Sequence, residues 1–300
     1  MSQPANEPVP APLLRHLPRR YIAFGLIVVA IFLLGALVLV RDNAAPGSSS
    51  TVETFSPAPS SLVSSLASVP TSVYDTVGVD SPTNPVASLR PTGSSPLWEA
   101  TIDGGPPLPV LFFYGAEFAP YAAAERWPVI LALSRFGTFT QLGLMESSST
   151  TAFPDLPTFT FWQVGYSSRY VVLQSVERYS SLNPTGAGYL GLEQPDARQA
   201  SAIATYGTGA DAFSLVDVAN HWVQRGSSYA PGVLDGLSQD QVASDLAYPA
   251  SPLAQALVAS ANQITAAICS VDGDEPGAVC QSRGVLAADV KLGITAPAAH

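Results

Sequence analysis

Positive charge is scarce in this chain. The 300 residues include 13 Lys+Arg against 23 Asp+Glu, and Lys291 is the only lysine. Affinity for a nucleic-acid backbone is built from clustered Lys and Arg, so a formal net charge of -10 argues against a nucleic-acid partner. Histidine is scarcer: His16, His221 and His300 are far apart, and they complete no zinc site with Cys269 and Cys280, so no metal is expected. Gly207-Thr208-Gly209 lacks the spacing and the lysine of a phosphate loop, so no nucleotide or other cofactor is expected either. Serine is abundant, yet no Gly-x-Ser-x-Gly elbow occurs, and His221 with Ser214 or Asp217 reads as an accidental grouping. Cysteine is nearly absent. The Cys269-x10-Cys280 spacing is not the short helix-capping spacing of a redox dithiol, so a structural disulfide is favoured over a free reactive pair.

What is abundant is apolar side chain. A hydrophobic fraction of 47% is enough for a sizeable core, in one large or two ordinary domains. Tyr21 to Val40 carries no charge, and 20 helical residues rise about 30 Å, the thickness of a hydrocarbon core. Arg15, Arg19 and Arg20 precede this run, whereas Arg41 is followed by Asp42 and no further basic residue until Arg90. The positive-inside rule therefore puts the N-terminus in the cytoplasm and the rest outside the cell membrane. An uncleaved single-pass anchor is favoured; a cleavable signal peptide is the competing reading, although its apolar stretch runs only about 7–15 residues. Three of the basic and one of the acidic side chains lie before Val40, which leaves the external part 10 basic and 22 acidic residues and a formal charge of -12. Such a surface should keep clear of anionic lipid.

The expected organisation is a cytoplasmic tail over 1–20, a transmembrane helix over 21–40, a flexible Pro/Ser/Ala linker over 41–60 and an extracytoplasmic domain over 61–295. Leu62, Leu66, Val69, Val73 and Val77 recur at helical spacing, with a break at Pro70. The segment from Asp80 to Pro109 is expected to wrap the surface, anchored by Leu89, Leu97 and Trp98. Val110 to Tyr114 reads as a strand and Ala122 to Leu133 as a helix. Thr140 to Met145, Phe159 to Trp162 and Tyr170 to Val176 read as strands, with hairpin chemistry at Gly165-Tyr166-Ser167-Ser168 and a long loop at Asn183 to Gly188. Asp196 to Tyr206 reads as a helix, Ala212 to Ala219 as a strand and His221 to Val223 as its return. Ser238 to Leu246 and Pro252 to Ala267 are the closing helices, the last ending at Cys269. Alternating strands and helices define an α/β sandwich.

The most informative stretch joins that first strand to that helix: Gly115-Ala-Glu-Phe-Ala119-Pro120-Tyr121-Ala122-Ala-Ala-Glu-Arg-Trp-Pro128. A Cys-x-x-Cys pair works at such a junction, because helix N-terminal amides and the macrodipole stabilise a thiolate. Here Ala119 and Ala122 stand at the two positions, so nucleophile and resolving thiol are both missing. The chain resembles the DUF929 family, a thioredoxin-like group of unknown function whose turn reads Gly-Ala-Glu-aromatic-Cys-Pro-Tyr-Cys-Ala-Ala-Glu-Arg-Trp-Pro. The likeness continues through Ala132 to Phe139, Ser147 to Thr150 and Pro157 to Phe161, covering roughly 60–285.

This resemblance implies a thioredoxin-like α/β sandwich with additional helices and a hairpin. A thioredoxin-like site also sets a proline against the dithiol, and two positions compete for it: Pro157, and Ser214 in Phe213-Ser214-Leu215-Val216-Asp217-Val218, with Ser214 preferred. Phe118, Pro120, Tyr121 and Ser214 are the candidate partner contacts at a groove stripped of redox chemistry. A surface turn kept only for the strand-to-helix junction is an equal reading. Glu117, Glu125 and Arg126 bracket the turn; Glu125 is expected to complement the helix dipole and Arg126 to make a surface or interdomain ion pair. The expected function is non-catalytic binding of another envelope or membrane protein, in assembly or as a chaperone-like factor. The alternatives are a thiol-disulfide oxidoreductase using Cys269 and Cys280, and a structural subunit of a membrane complex.

Overall fold

The computed structural model describes residues 54–80, 86–93, 95–183, 186–207 and 213–294. The expected tail, the apolar run over 21–40 and most of the linker lie outside the described residues. So do Pro184 and Thr185 of the expected loop and Ala212 at the start of the expected strand.

Two short helices open the domain, α1 (Ser60–Ala67) and α2 (Thr71–Val77), and Pro70 caps the second, so the chain breaks where the proline fixes it. Two short strands follow, β1 (Arg90–Pro91) and β2 (Glu99–Thr101), in the segment expected to wrap the surface; Leu89 and Trp98 are buried there. The central strand β3 (Pro107–Gly115) leads into α3 (Pro120–Leu133). Then come β4 (Gly137–Glu146), β5 (Pro157–Ser168), β6 (Val172–Glu177), α4 (Ala197–Tyr206), β7 (Ser214–Val218) and β8 (Trp222–Arg225). A 3-10 turn (Pro231–Leu234) precedes α5 (Gln239–Asp245), α6 (Pro252–Asp272), α7 (Gly277–Cys280) and α8 (Arg283–Leu292).

The main sheet runs β1-β8-β7-β3-β2, and it is mixed. Residues 107–109 of β3 pair antiparallel with β2, residues 110–115 pair parallel with β6, and β7 runs antiparallel along 111–115. Helices cover both faces, which is why β3 is a continuous apolar run rather than an alternating one. Leu111 and Phe113 point into the larger core, shared with α1, α2, α3, α5, α6 and α8. Val110, Phe112 and Tyr114 point into a smaller core with Ala202 of α4. β4 and β5 form a separate two-stranded sheet against α3.

Capping residues set several boundaries. Asp196 with Gln199, and Ser238 with Gln241, form reciprocal capping boxes at α4 and α5. The expected hairpin at Gly165 to Ser168 is absent: these residues continue β5, opposite Gln141 to Gly137 of β4. Gly165 serves close strand approach instead, since a Cβ there would lie 2.4 Å from Thr140 Oγ1. Helix α6 runs past Cys269 to Asp272, where left-handed Gly273 ends it. By length and composition α6 could cross a membrane, but 83% of its most apolar window is buried, as befits a core helix. Cys269 in α6 is bonded to Cys280 in α7.

Candidate functional site

The junction between β3 and α3 is built from the bottom by a buried ion pair. Arg126 donates from Nε and Nη2 to the two carboxylate oxygens of Glu177 at 2.8 and 2.7 Å, and both side chains have zero exposure. Glu177 closes β6 opposite Gly115 and also accepts the Phe161 amide, so one carboxylate binds α3, β5 and β6 together beneath the turn. Arg126 therefore makes no surface or interdomain pair. Burial of a cation is tolerated because the fork is met bidentately and Phe113 lies 5.4 Å below the guanidinium.

Glu125 is also fully buried rather than placed to complement a helix dipole in water. Its Oε2 accepts from the amide and hydroxyl of Ser228 at 2.6 and 2.8 Å, and Ser228 Oγ lies 2.7 Å from Ser260 Oγ of α6. Burial pushes its carboxyl from 4.5 up to about 7, against the pull of the Ser228 bonds. The first turn of α3 is further tied by Thr158 donating to Ala123 O and Tyr229 donating to Ala124 O.

On this base the turn itself is apolar. Ala119 is the N-cap of α3 without a capping side chain, Pro120 fills the first helical position, and Ala119, Pro120 and Ala122 are all buried. Neither methyl group carries a nucleophilic or ionisable atom. Tyr121 is the exposed member, at 37%, with its ring edge-on to Phe153 at 6.3 Å. Phe118 is half-buried and stacks on Tyr189 at 4.0 Å, with Phe213 and Tyr179 completing an aromatic cluster. Backbone groups at the turn are engaged: Glu117 N–H donates to Tyr179 O, and Phe118 O accepts from Ser148 N–H.

Ser214 and Pro157 fall in different places. Ser214 begins β7 opposite Gly115, and its hydroxyl lies 3.4 Å from Tyr121 O while donating to Gly226 O at 2.9 Å. Pro157 opens β5 against α3, where its carbonyl accepts from Trp127 Nε1 and the hydroxyl of the next residue, Thr158, donates to Ala123 O. Ser214 touches the turn through Tyr121 O, although at 1% exposure it presents almost no surface. Of the four candidate contacts, Tyr121 and the edge of Phe118 are the accessible ones. Tyr179 and Tyr189 carried no local signal in the sequence, because the backbone bonds of Tyr179 to Glu117 and of Ser180 to Leu190 bring them to Phe118; Phe213 was visible only as the neighbour of Ser214.

Among the described residues, Cys269, Asp272 and Cys280 bring potential ligand atoms within 4.8 Å of one another. With both sulfurs in the disulfide, this group offers a single carboxylate.

These features describe a mixed α/β domain with an apolar strand-to-helix turn at its centre. A family model for a domain of unknown function, DUF929, matches residues 106–270, more than half of the 300, and the chain belongs to that family. No curated protein matches this chain. No solved structure matches it either.

Proposed function

We propose that this protein is a non-catalytic, thioredoxin-like binding module, held at the outer face of the cell membrane by residues 21–40 and a linker over 41–60. The observation that carries the reading is the meeting of Ser214 with Tyr121 across β3, at a helix N-terminus whose two chemically decisive positions are Ala119 and Ala122. A parallel β6-β3 pair with an intervening helix, followed by antiparallel β7 and β8 and a closing helix, is the strand order such a domain uses, and it supports the thioredoxin-like reading.

The partner is another envelope or membrane protein, in an assembly or chaperone-like role. Contact falls on side chains rather than on strand addition, because the turn's backbone is already bonded to Tyr179 and Ser148. Tyr121 and Phe153 then form an aromatic ledge of the kind that dominates binding energy when covered. The buried positions of Cys269 and Cys280, each 2% exposed, favour a structural over a catalytic disulfide.

The test is cross-linking in membranes, followed by mild-detergent purification of the full chain. Tyr121→Ala should reduce the captured partner several-fold while leaving the melting temperature within about 2 °C. Undiminished capture with Tyr121→Ala ends the assignment of the turn; stoichiometric co-purification that resists the change marks a structural subunit instead.

A further inference from the structure

We propose that a cavity at the β1 edge of the main sheet is an acidic-peptide site, in which Arg90 and Arg225 receive two carboxylates from an extended Asp/Glu-x-Asp/Glu segment of a protein partner. The site goes beyond the reading of the Tyr121 turn and does not depend on it.

The geometry follows from strand register. Arg90 in β1 is paired directly with Val223 in β8, and cross-strand partners share a sheet face. Arg225 is two residues beyond Val223, so its side chain takes the same face. The two arginines are thus diagonal neighbours on the face that also carries α4, and both line one cavity of about 790 Å³. Thr205 at the end of α4, with Ser88 and Ser227, adds hydroxyls to the wall, and among the described residues no Asp or Glu lines it.

Two like charges at diagonal positions repel, and the arrangement calls for an anion between them. Both arginines are exposed, and among the described residues neither forms an ion pair; the pairs found involve Arg126, Arg283 and Lys291. The nearest carboxylate along the same row of the sheet is Asp217, paired with Val223 on its other side. It is fully buried, its Oδ1 accepts the Asn220 amide, and it does not line the cavity.

Three features select the ligand. Guanidinium forks match carboxylates bidentately. Diagonal sheet neighbours are about 7–8 Å apart, close to the roughly 7 Å between same-side residues i and i+2 of an extended chain. The volume is that of a drug-sized ligand, about 300–1,000 Å³, and it exceeds what one inorganic anion fills. Pro91 follows Arg90 and lacks an N–H, which weakens strand addition at this edge and leaves side-chain capture as the mode.

The experiment is titration of the full chain in detergent with a synthetic Ser-Glu-Val-Glu-Ser peptide, blocked at both ends and fluorescently labelled, read by anisotropy. Its Gln-for-Glu analogue and inorganic phosphate serve as the comparison arms. The expected result is saturable binding of the Glu peptide, at least five-fold weaker binding of the Gln analogue, and at least a five-fold loss with Arg225→Ala and with Arg90→Ala. Phosphate should displace the peptide only in large molar excess, and Tyr121→Ala should leave the titration unchanged. Equal binding of both peptides, undiminished binding by the Arg90→Ala/Arg225→Ala double variant, or equimolar displacement by phosphate overturns the proposal. Because Arg90 and Arg225 are exposed, circular dichroism and the melting temperature of the variants serve to confirm that a loss is not unfolding.

Discussion

Ser228 aims both its amide and its hydroxyl at the same oxygen of Glu125, while Glu125 Oε1 accepts nothing among the described residues. Among the described residues no cation pairs with this buried carboxyl, and burial raises it from 4.5 to about 7. The folded chain therefore binds this proton more tightly than the unfolded chain, a difference worth about 3 kcal/mol. For a raised acid the favourable contribution is complete below pH 4.5 and is lost as pH climbs through about 7. Glu125→Gln keeps an acceptor for Ser228 and removes the titration. Unfolding free energies measured from pH 4 to 8.5 should show the variant gaining on the native chain across this window. Curves that stay parallel would mean that Glu125 does not titrate there.

The Arg126 to Glu177 pair behaves differently, because it is a matched pair with its solvation already removed. Glu177→Ala would leave a guanidinium in the core with its fork empty, and the cost of a half-removed buried pair is about 3–5 kcal/mol. The double variant Arg126→Met/Glu177→Leu removes both charges together and should lose markedly less. Chemical denaturation of the three chains separates these cases, and equal losses for single and double changes would show that packing, not charge, dominates the site.

Glu125 and Arg126 mark the limit of what local sequence signals carry about α3. The strand, the turn and the helix were legible because apolar spacing, Pro120 at the first helical position and the Gly-Ala-Glu bend are local signals. Ser238 was equally legible as the cap of α5. Burial of Glu125 and Arg126 was not, because charged residues in a helix point to solvent unless partners arrive from elsewhere in the chain. Those partners, Glu177 and Ser228, are separated from them by 51 and 103 positions. Gly165 misled for a related reason: a glycine wanted for close strand approach looks the same in sequence as one wanted for a turn. The pairing of Ser214 with Gly115 depends on the register of β7 against β3, a long-range relation that spacing along the chain does not carry.

The disulfide offers a prediction that separates fold from function. Cys269 and Cys280 close a short loop, with a sequence separation of 11, and tie α7 to the end of α6. Loop-closure entropy for a loop of this size is worth roughly 3 kcal/mol. Cys269→Ser/Cys280→Ser should lower stability by about that amount while partner capture through Tyr121 persists at temperatures where the variant is folded. A disulfide test substrate decides the competing case: turnover by the native chain that disappears in the double variant would make these cysteines catalytic.

Restoring sulfur at the turn tests the thioredoxin-like reading most directly. Ala119 caps α3 and Ala122 sits in its first turn, with no acidic residue in that turn to oppose a thiolate. Ala119→Cys/Ala122→Cys should thus place one thiol at the mouth and the other behind it, since Ala119 is 7% exposed and Ala122 fully buried. Helix N-terminal amides and the dipole pull such a thiol below its ordinary value of about 8.5. Two measurements check this in a Cys269→Ser/Cys280→Ser background: thiol counting before and after oxidation, and the pH dependence of alkylation at position 119. The expected outcome is an intramolecular bridge on oxidation and an alkylation midpoint at least one pH unit below that of a free cysteine peptide. Crowding is the principal risk, because Ala122 Cβ already lies 3.3 Å from where a Gly115 Cβ would sit. Ala119→Cys alone avoids that contact and reports the midpoint separately. Two independent thiols with ordinary reactivity would show that this bend only resembles a redox turn in sequence.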